Sequence, residues 1–246
     1  MSNEFQTHLP PISEIWVYLS GSPLLALVLT LSAYLLGLTL YERSQRNPLA
    51  NPVLIAVVVV TLSISVLDMP YAKYFEGAQF VHFLLGTATV SLAIPIYKGF
   101  ASLKGRMSVL LLSLVAGSIT SVFTAVGVAR WLGVDESLVR GLVAKSVTAP
   151  IAMGIAERVQ ASPTLTAIFA VSTGILGAVL GRYVLDALRI TQWWQRGFAL
   201  GVAAHGIGTS RAFSVNAEAG AYASLGMGLH GIAGAVLIPY AVAWWF

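Results

Sequence analysis

Cysteine is absent from this 246-residue chain, and charged residues are scarce at 10% of the sequence. The lack of thiols excludes disulfide bonds, thiolate metal sites and cysteine nucleophiles. The lack of charge excludes an ordinary soluble domain, because such domains carry about 25% charged residues. The pI near 9.5 comes without a basic stripe or an RNA-binding motif, so nucleic acid is not an expected partner.

The residues that are present are 57% hydrophobic, with a mean hydropathy of +0.81. Each of six uncharged runs reaches the roughly 20 residues that a helix needs to cross a hydrocarbon core. These runs are 15–41, 47–67, 77–97, 107–129, 159–181 and 219–246. The sequence therefore predicts an all-α polytopic membrane protein, a single transmembrane domain over residues 1–246 with the lipid bilayer as its partner. Residues 1–14 lack a basic start, so no cleavable signal is expected.

Two further apolar stretches, 146–156 and 197–210, are too short to span and are typical of re-entrant segments. If both loop back and the N-terminus is outside, nine Lys and Arg residues are cytoplasmic and five are outside. If both cross, the division is seven to seven. The positive-inside rule favours the first arrangement. We predict about six spanning helices plus two re-entrant or broken helical hairpins, with eight crossings as the alternative.

An internal repeat is predicted in the second half of the chain. Two motifs recur at an offset of 56–57 residues: Arg-Gly at 140–141 and 196–197, and Gly-Ile-x-Gly-Ala-Val-Leu at 174–180 and 231–237. Each unit, 137–187 or 193–246, contains one hairpin and one span, an odd number of crossings. Such units are inverted relative to each other, as in many secondary transporters. Chance similarity between two Gly/Ala-rich membrane segments is the alternative.

Three polar patches with Gly or Pro interrupt the apolar pattern at 86–95, 145–150 and 205–211. Broken backbone in a membrane persists only inside protein or beside a water-filled cavity, and a helix starting there offers N–H groups to an anion. Close helix packing by small residues is the alternative. The candidate substrate-binding residues are Thr87, Thr89, Lys145, Ser146, Thr148, His205, Gly206, Gly208, Thr209, Ser210 and Arg211.

Lys145, His205 and Arg211 are the ionisable residues nearest the breaks. A buried cation needs a counter-charge such as a substrate carboxylate, although either cation could also snorkel to the interface. The Gly-x-Gly-x-x-Gly motif at 226–231 lies inside an apolar span without a preceding strand, so it does not indicate a dinucleotide site. No catalytic residues, metal site or organic cofactor are expected, and the chain is not predicted to be an enzyme.

Four segments together resemble the LrgB/CidB family. They are NPVLI at 51–55, YFEGAQFVHFLLGTATV at 74–90, KSVTAPIAM at 145–153 and HGIGTSRA at 205–212. The similarity extends from about residue 45 to the end of the chain. The family motif often has threonine where this chain has Ala149.

The resemblance implies a multi-pass protein of the bacterial inner (plasma) membrane. The family includes antiholin-like regulators of murein hydrolase export and autolysis, part of the plastid glycolate/glycerate transporter, and members linked to pyruvate uptake. We expect an alternating-access transporter of small monocarboxylates of the pyruvate, glycolate or glycerate class. The alternative is an antiholin-like regulator that acts with a small LrgA/CidA-like membrane partner. Homo-oligomerisation is also open.

Overall fold

The computed structural model describes residues 23–91, 94, 97 and 105–246, without the side chains of residues 23, 82, 85, 86, 88 and 89. All regular structure in these ranges is helical, which confirms the predicted all-α class. The α-helices of the described ranges are α1 (Pro23–Arg43), α2 (Pro52–Val66), α3 (Tyr71–Ser91), α4 (Met107–Trp131), α5 (Glu136–Leu142), α6 (Ala149–Arg158), α7 (Pro163–Ala187), α8 (Trp193–Val215) and α9 (Ala217–Trp245), and a 3-10 turn, Pro48–Ala50, precedes α2.

The chain divides into two compact units, residues 1–85 and 86–246, with the division inside α3. In the first unit, the side chain of Asn51 accepts two backbone N–H groups and caps the start of α2. Thr30 of α1 and Tyr74 of α3 share a hydrogen bond of 2.7 Å between their hydroxyls. Two cavities lie in the second unit, among residues 109–219.

Four of the described helices, α1, α4, α7 and α9, are long and apolar enough to cross a membrane. They correspond to four of the six predicted spans, and the polytopic prediction is confirmed. The other two predicted spans correspond to α2, which has 15 residues, and to α3, whose first half carries Lys73 and Glu76. The predicted span 77–97 also extends beyond the described residues. Many large apolar side chains on these helices are exposed, as lipid-facing surfaces require.

The helix α8 reverses direction at His205, whose backbone φ of 40° and ψ of −130° are not helical. A Cβ atom on Gly208 would lie 2.7 Å from the carbonyl oxygen of Leu200. In a straight helix these two residues would be about 12 Å apart along the axis. The doubling back therefore brings the two arms of α8, residues 193–204 and 206–215, into contact. α8 is a broken helical hairpin, as the sequence predicts for residues 197–210, and its re-entrant path through the membrane stays a prediction.

The first arm of α8 begins, and the second arm ends, at the same end of the second unit. Arg196 of the first arm and Arg211 of the second arm line one cavity together with the last turns of α7 and the start of α9. Arg196 also forms an ion pair of 2.7 Å with Asp186 near the end of α7. We call this end of the second unit the Arg196 end. Since α7 ends here and α9 begins here, the two helices run in opposite directions.

The helices α5 and α6 form a second hairpin at the opposite end, which we call the Trp245 end. Arg130, in the last turn of α4, forms an ion pair with Glu136 at the start of α5 and contacts the carbonyl oxygen of Trp245. Residues 143–148 separate α5 from α6, and α6 then runs back in the opposite direction. It returns to the Trp245 end because only residues 159–162 separate it from α7, which starts there.

The turn of the α8 hairpin packs against the middle of α7. A Cβ atom on Gly174 would lie 2.7 Å from the imidazole of His205, and one on Gly177 would lie 2.5 Å from the Cβ of Ala204. Only glycine allows this close approach. The turn therefore lies about halfway along α7.

The break between α5 and α6 packs in the same way against the middle of α9. A Cβ atom on Gly231 would lie 3.0 Å from the side chain of Ile151, and one on Gly234 would lie 2.9 Å from that of Val147. This last contact corresponds to the contact between Gly177 and Ala204. Gly234 follows Gly177 by 57 positions, and Val147 precedes Ala204 by 57 positions. Each break thus lies against the long helix of the other predicted repeat unit.

Cysteine labelling can test the re-entrant path of α8, because the native chain has no thiol to interfere. We expect Arg189→Cys and Ala217→Cys, which flank α8, to react with a membrane-impermeant maleimide from the same, cytoplasmic side. Gln160→Cys, between α6 and α7, should react only from the other side. Labelling of positions 189 and 217 from opposite sides would mean that α8 crosses the membrane, in favour of eight crossings.

Candidate functional site

The second unit contains a cavity of about 930 Å³ between α4, α7 and the first arm of α8. Its volume falls within the roughly 300–1,000 Å³ that is usual for small-molecule sites. The cavity extends from the α7–α8 connection at the Arg196 end to the break between α5 and α6. Its walls are mainly apolar, and its polar lining residues are Ser113, Ser121, Lys145, Ser146, Thr173 and Gln195.

Lys145 provides the only lysine or arginine side chain among the described residues that line this cavity. Its ammonium group donates hydrogen bonds of 2.9 Å to the Ser121 hydroxyl and 3.2 Å to the Ser146 hydroxyl, and the two hydroxyls are also hydrogen-bonded to each other. None of the four ion pairs among the described residues includes Lys145. An ammonium group has three N–H donors, so the third can bind an anion that enters the cavity.

The position of Lys145 follows from the break between α5 and α6. Val147 closes a tight turn onto Ala144, with an N···O distance of 3.0 Å, and α6 then begins with Pro150 in its first turn. Thr148 occupies the N-cap position, and its buried hydroxyl oxygen has no hydrogen-bond partner among the described residues. The first N–H groups of a helix have no partners within the helix and favour negative charge. The break therefore combines a lysine with the start of a helix.

Ser121 is a site residue that the motif analysis missed. Ser113, Gly117 and Ser121 line the cavity and recur every four residues along α4, so they form one face of that helix. The sequence signal is a stripe of small residues within the 107–129 run. Such a stripe usually indicates close helix packing, and here it borders the cavity instead.

His205 holds the turn of the α8 hairpin in place. Its Nε2–H donates a hydrogen bond of 2.8 Å to the carbonyl oxygen of Ala170, because a carbonyl oxygen can only accept. The Thr209 hydroxyl donates a bond of 2.7 Å to the carbonyl oxygen of His205 itself. Both residues are almost completely buried. Their observed contacts stabilise the turn, and neither residue lines the 930 Å³ cavity.

A second buried histidine, His230 of α9, pairs with α4. Its Nδ1 atom lies 2.8 Å from the hydroxyl of Ser118, and that hydroxyl donates a bond of 2.7 Å to the carbonyl oxygen of Leu114. The imidazole is therefore the donor to Ser118. This contact connects α9 to α4 beside the middle of the unit.

A smaller cavity of about 360 Å³ lies at the Arg196 end, between α7, both arms of α8 and the start of α9. Its charged lining residues are Arg182, Asp186, Arg196 and Arg211. Arg211 thus lines a different cavity from Lys145. The two cations that the sequence places beside the breaks are not brought to one site, although Lys145 and Ser146 share the larger cavity with Val202 and Ala203 of α8.

Comparison with known proteins gives the family. The sequence profile of the LrgB-like family matches residues 30–244 of the chain. The chain belongs to the LrgB-like family. This match confirms the resemblance found in the four sequence segments.

Several relatives in the LrgB-like family match over most of their length. YwbG of Bacillus subtilis (strain 168) is 34% identical over 217 residues, 88% of this chain and 96% of the relative. YxaC of the same organism is 30% identical over 223 residues, 91% and 96% of the two chains. The holin-like protein CidB of Staphylococcus aureus (strain Mu50 / ATCC 700699) is 28% identical over 216 residues, 88% and 94% of the two chains. No solved structure matches this chain.

The remaining predicted site residues of the LrgB-like motifs lie in several environments. Gly206 and Gly208 lie in the second arm of α8 just after the turn, and Ser210 is exposed there. Thr87 lies on an exposed part of α3, where its carbonyl oxygen accepts the Ser91 hydroxyl at 2.9 Å. The side chain of Thr89 lies outside the described residues. The roles of all these residues in substrate binding stay predictions.

Proposed function

We propose that this LrgB-like protein transports small monocarboxylates, of the pyruvate, glycolate or glycerate class, by alternating access. The observation that carries the proposal is Lys145, a partly buried cation at the end of the 930 Å³ cavity and outside every ion pair among the described residues. A charge within a membrane protein is costly unless it is compensated. A substrate carboxylate would supply the missing charge.

The lining of the cavity favours one negative charge rather than two. Next to Lys145, the hydroxyls of Ser121 and Ser146 can help to bind a carboxylate, and Ser113, Thr173 and Gln195 can bind substrate hydroxyls or a keto group. The rest of the wall is apolar. A second carboxylate would face that wall without a cation, at a desolvation cost of several kcal/mol by order of magnitude. A monocarboxylate fits this charge balance.

The two hairpins support the alternating-access part of the proposal. They enter the second unit from opposite ends, and each packs its break against the middle of α7 or α9. We propose that residues 137–187 and 193–246 are inverted repeats. The contacts Gly177–Ala204 and Gly234–Val147, whose members are offset by 57 positions, support this. Inverted repeats of this kind can exchange conformations, which would close the cavity at one end and open it at the other.

The names of the relatives favour a different function. CidB of Staphylococcus aureus is named as a holin-like protein. On this ground alone, an antiholin-like regulator acting with a small LrgA/CidA-like membrane partner is better supported than transport. A bacterial inner membrane location suits both functions. We keep transport as the conclusion because a cation-lined cavity has no evident purpose in a protein that acts only through a partner.

Uptake by the purified full chain in proteoliposomes separates the two functions. We expect saturable entry of radiolabelled pyruvate, competed by glycolate or glycerate and much less by succinate. Protein-free liposomes provide the background, and Lys145→Met proteoliposomes test the role of the lysine. Flux no greater than this background, from protein that elutes as a folded species, would reject transport and leave the holin-like function. Lysis tests with a co-expressed small membrane partner would then follow.

A further inference from the structure

We propose that the 360 Å³ cavity at the Arg196 end binds a phosphate group, carried by an anionic phospholipid headgroup or by a soluble phosphorylated compound. The cavity lies between α7, both arms of the α8 hairpin and the start of α9. Its charged lining residues differ from that of the Lys145 cavity, although Leu185 and Leu200 line both cavities. The proposal does not depend on the transport function.

The charges that line this cavity are unbalanced. Arg182, Arg196 and Arg211 line it, and Asp186 is the single acidic residue among the described residues of the lining. Asp186 is shared, because one oxygen lies 2.7 Å from Arg196 and the other lies 3.6 Å from Arg182. One carboxylate therefore serves two guanidinium groups, and Arg182, Arg196 and Asp186 together carry a formal net charge of +1. A phosphate group can supply the negative charge that balances this excess.

The geometry favours phosphate because the guanidinium of Arg196 is held in place. Its side chain is only 15% exposed, and it also donates a hydrogen bond of 2.9 Å to the carbonyl oxygen of Ile190. A fixed, planar arginine fork binds phosphate oxygens with little loss of side-chain freedom. Leu185, Leu200 and Val215 line the same cavity and could contact the first carbons of an acyl chain.

The location also fits a headgroup. Trp193, which lines the cavity, stacks against Arg196 with the guanidinium carbon 5.6 Å from its ring, and tryptophan is enriched where membrane meets water. Basic pockets between membrane helices on the cytoplasmic side are recognised sites for anionic headgroups. The nine-to-five charge distribution predicts that this end is cytoplasmic.

A bound phosphate would have a structural consequence for the hairpin. The three arginines come from α7, the first arm of α8 and the second arm of α8. A single ligand that contacts all three would tie both arms to α7. The turn at His205 packs on the middle of α7, so occupancy of the cavity would restrain movement of that turn.

Binding can be measured on the purified full chain by native mass spectrometry with added phosphatidylglycerol, and with phosphatidylcholine as the uncharged reference. We expect Arg211→Gln and Arg182→Gln each to weaken phosphatidylglycerol binding roughly fivefold, the effect of one basic residue near an anionic surface. Arg189→Gln, an exposed arginine at the same end that does not line the cavity, is the matched control. Asp186→Asn should strengthen binding, because it removes the competing carboxylate.

Equal losses in the control and the cavity variants would indicate general attraction to the surface and overturn the proposal, as would unchanged affinity in both cavity variants. A second experiment identifies the source of the phosphate. Thermal stabilisation by inorganic phosphate or glycerol 3-phosphate, lost in Arg211→Gln, indicates a soluble ligand. Stabilisation by the phospholipid alone indicates a headgroup. Either result supports a phosphate site, and stabilisation by neither contradicts it.

Discussion

Replacing Lys145 by methionine is expected to weaken substrate binding strongly while making the protein more resistant to unfolding. Losing a charge-assisted hydrogen bond of about 1.5–3 kcal/mol lowers affinity roughly ten- to hundredfold. The free energy of unfolding should rise, because an apolar side chain removes the desolvation cost of the Lys145 ammonium. None of the ion pairs among the described residues includes that ammonium. Calorimetric titration with pyruvate and a thermal unfolding series measure the two effects separately.

Lys73→Met is the matched control for this experiment, since Lys73 is an exposed residue of α3 outside the cavity. It should change neither pyruvate affinity nor the unfolding temperature appreciably. A purely structural Lys145 would give the opposite pattern: a lower unfolding temperature in Lys145→Met and unchanged affinity. That result would remove the main support for a carboxylate at this position.

Gly201→Ala is expected to prevent the α8 hairpin from packing on α9. A Cβ atom at this position would lie 2.0 Å from the carbonyl oxygen of Ala223, and that backbone oxygen cannot move without the whole helix. Overpacking against side chains typically costs about 1–3 kcal/mol, so a clash with backbone should cost at least the upper value. We expect a strong decrease in monodisperse protein and in unfolding temperature, measured by fluorescence-detected size exclusion after heating.

Gly127→Ala controls for the general effect of adding a methyl group to a membrane helix. Gly127 is exposed within α4, and apart from its own helix backbone and chain neighbours no atom of the described residues lies within 4 Å of its added Cβ. Alanine is a better helix former by roughly 0.5–1 kcal/mol, so this variant should be as stable as the native chain or slightly more stable. Equal stability of Gly201→Ala and Gly127→Ala would show that the first arm of α8 does not lie against α9.

The sequence predicted the helices well because long uncharged runs leave few alternatives in a membrane. It also predicted both breaks, since Pro150 and the glycines after His205 interrupt the pattern. The Lys145 environment was predicted only in part. The motif contains Lys145 and Ser146, but their partner Ser121 comes from α4, and a contact between distant segments has no local sequence signal.

Arg211 shows a different limit of sequence analysis. It follows the break at His205 by six residues, and the motif therefore placed it beside the predicted carboxylate. The chain reverses at His205, so each residue of the second arm moves about 1.5 Å back toward the Arg196 end. Arg211 consequently lines the smaller cavity. A sequence pattern shows where a helix is interrupted, but which cavity a residue of the following arm lines depends on the packing of that arm.

The contact between Gly234 and Val147 has a consequence for how the protein is made. During synthesis the α5–α6 hairpin emerges long before α9, and its break lacks a packing partner for several seconds at about 5–20 residues per second. The α8 hairpin differs, because α7 is complete when its turn at His205 emerges. Insertion of the first hairpin should therefore depend on the last helix, and a chaperone or insertase would have to shelter Lys145 from lipid in the interval.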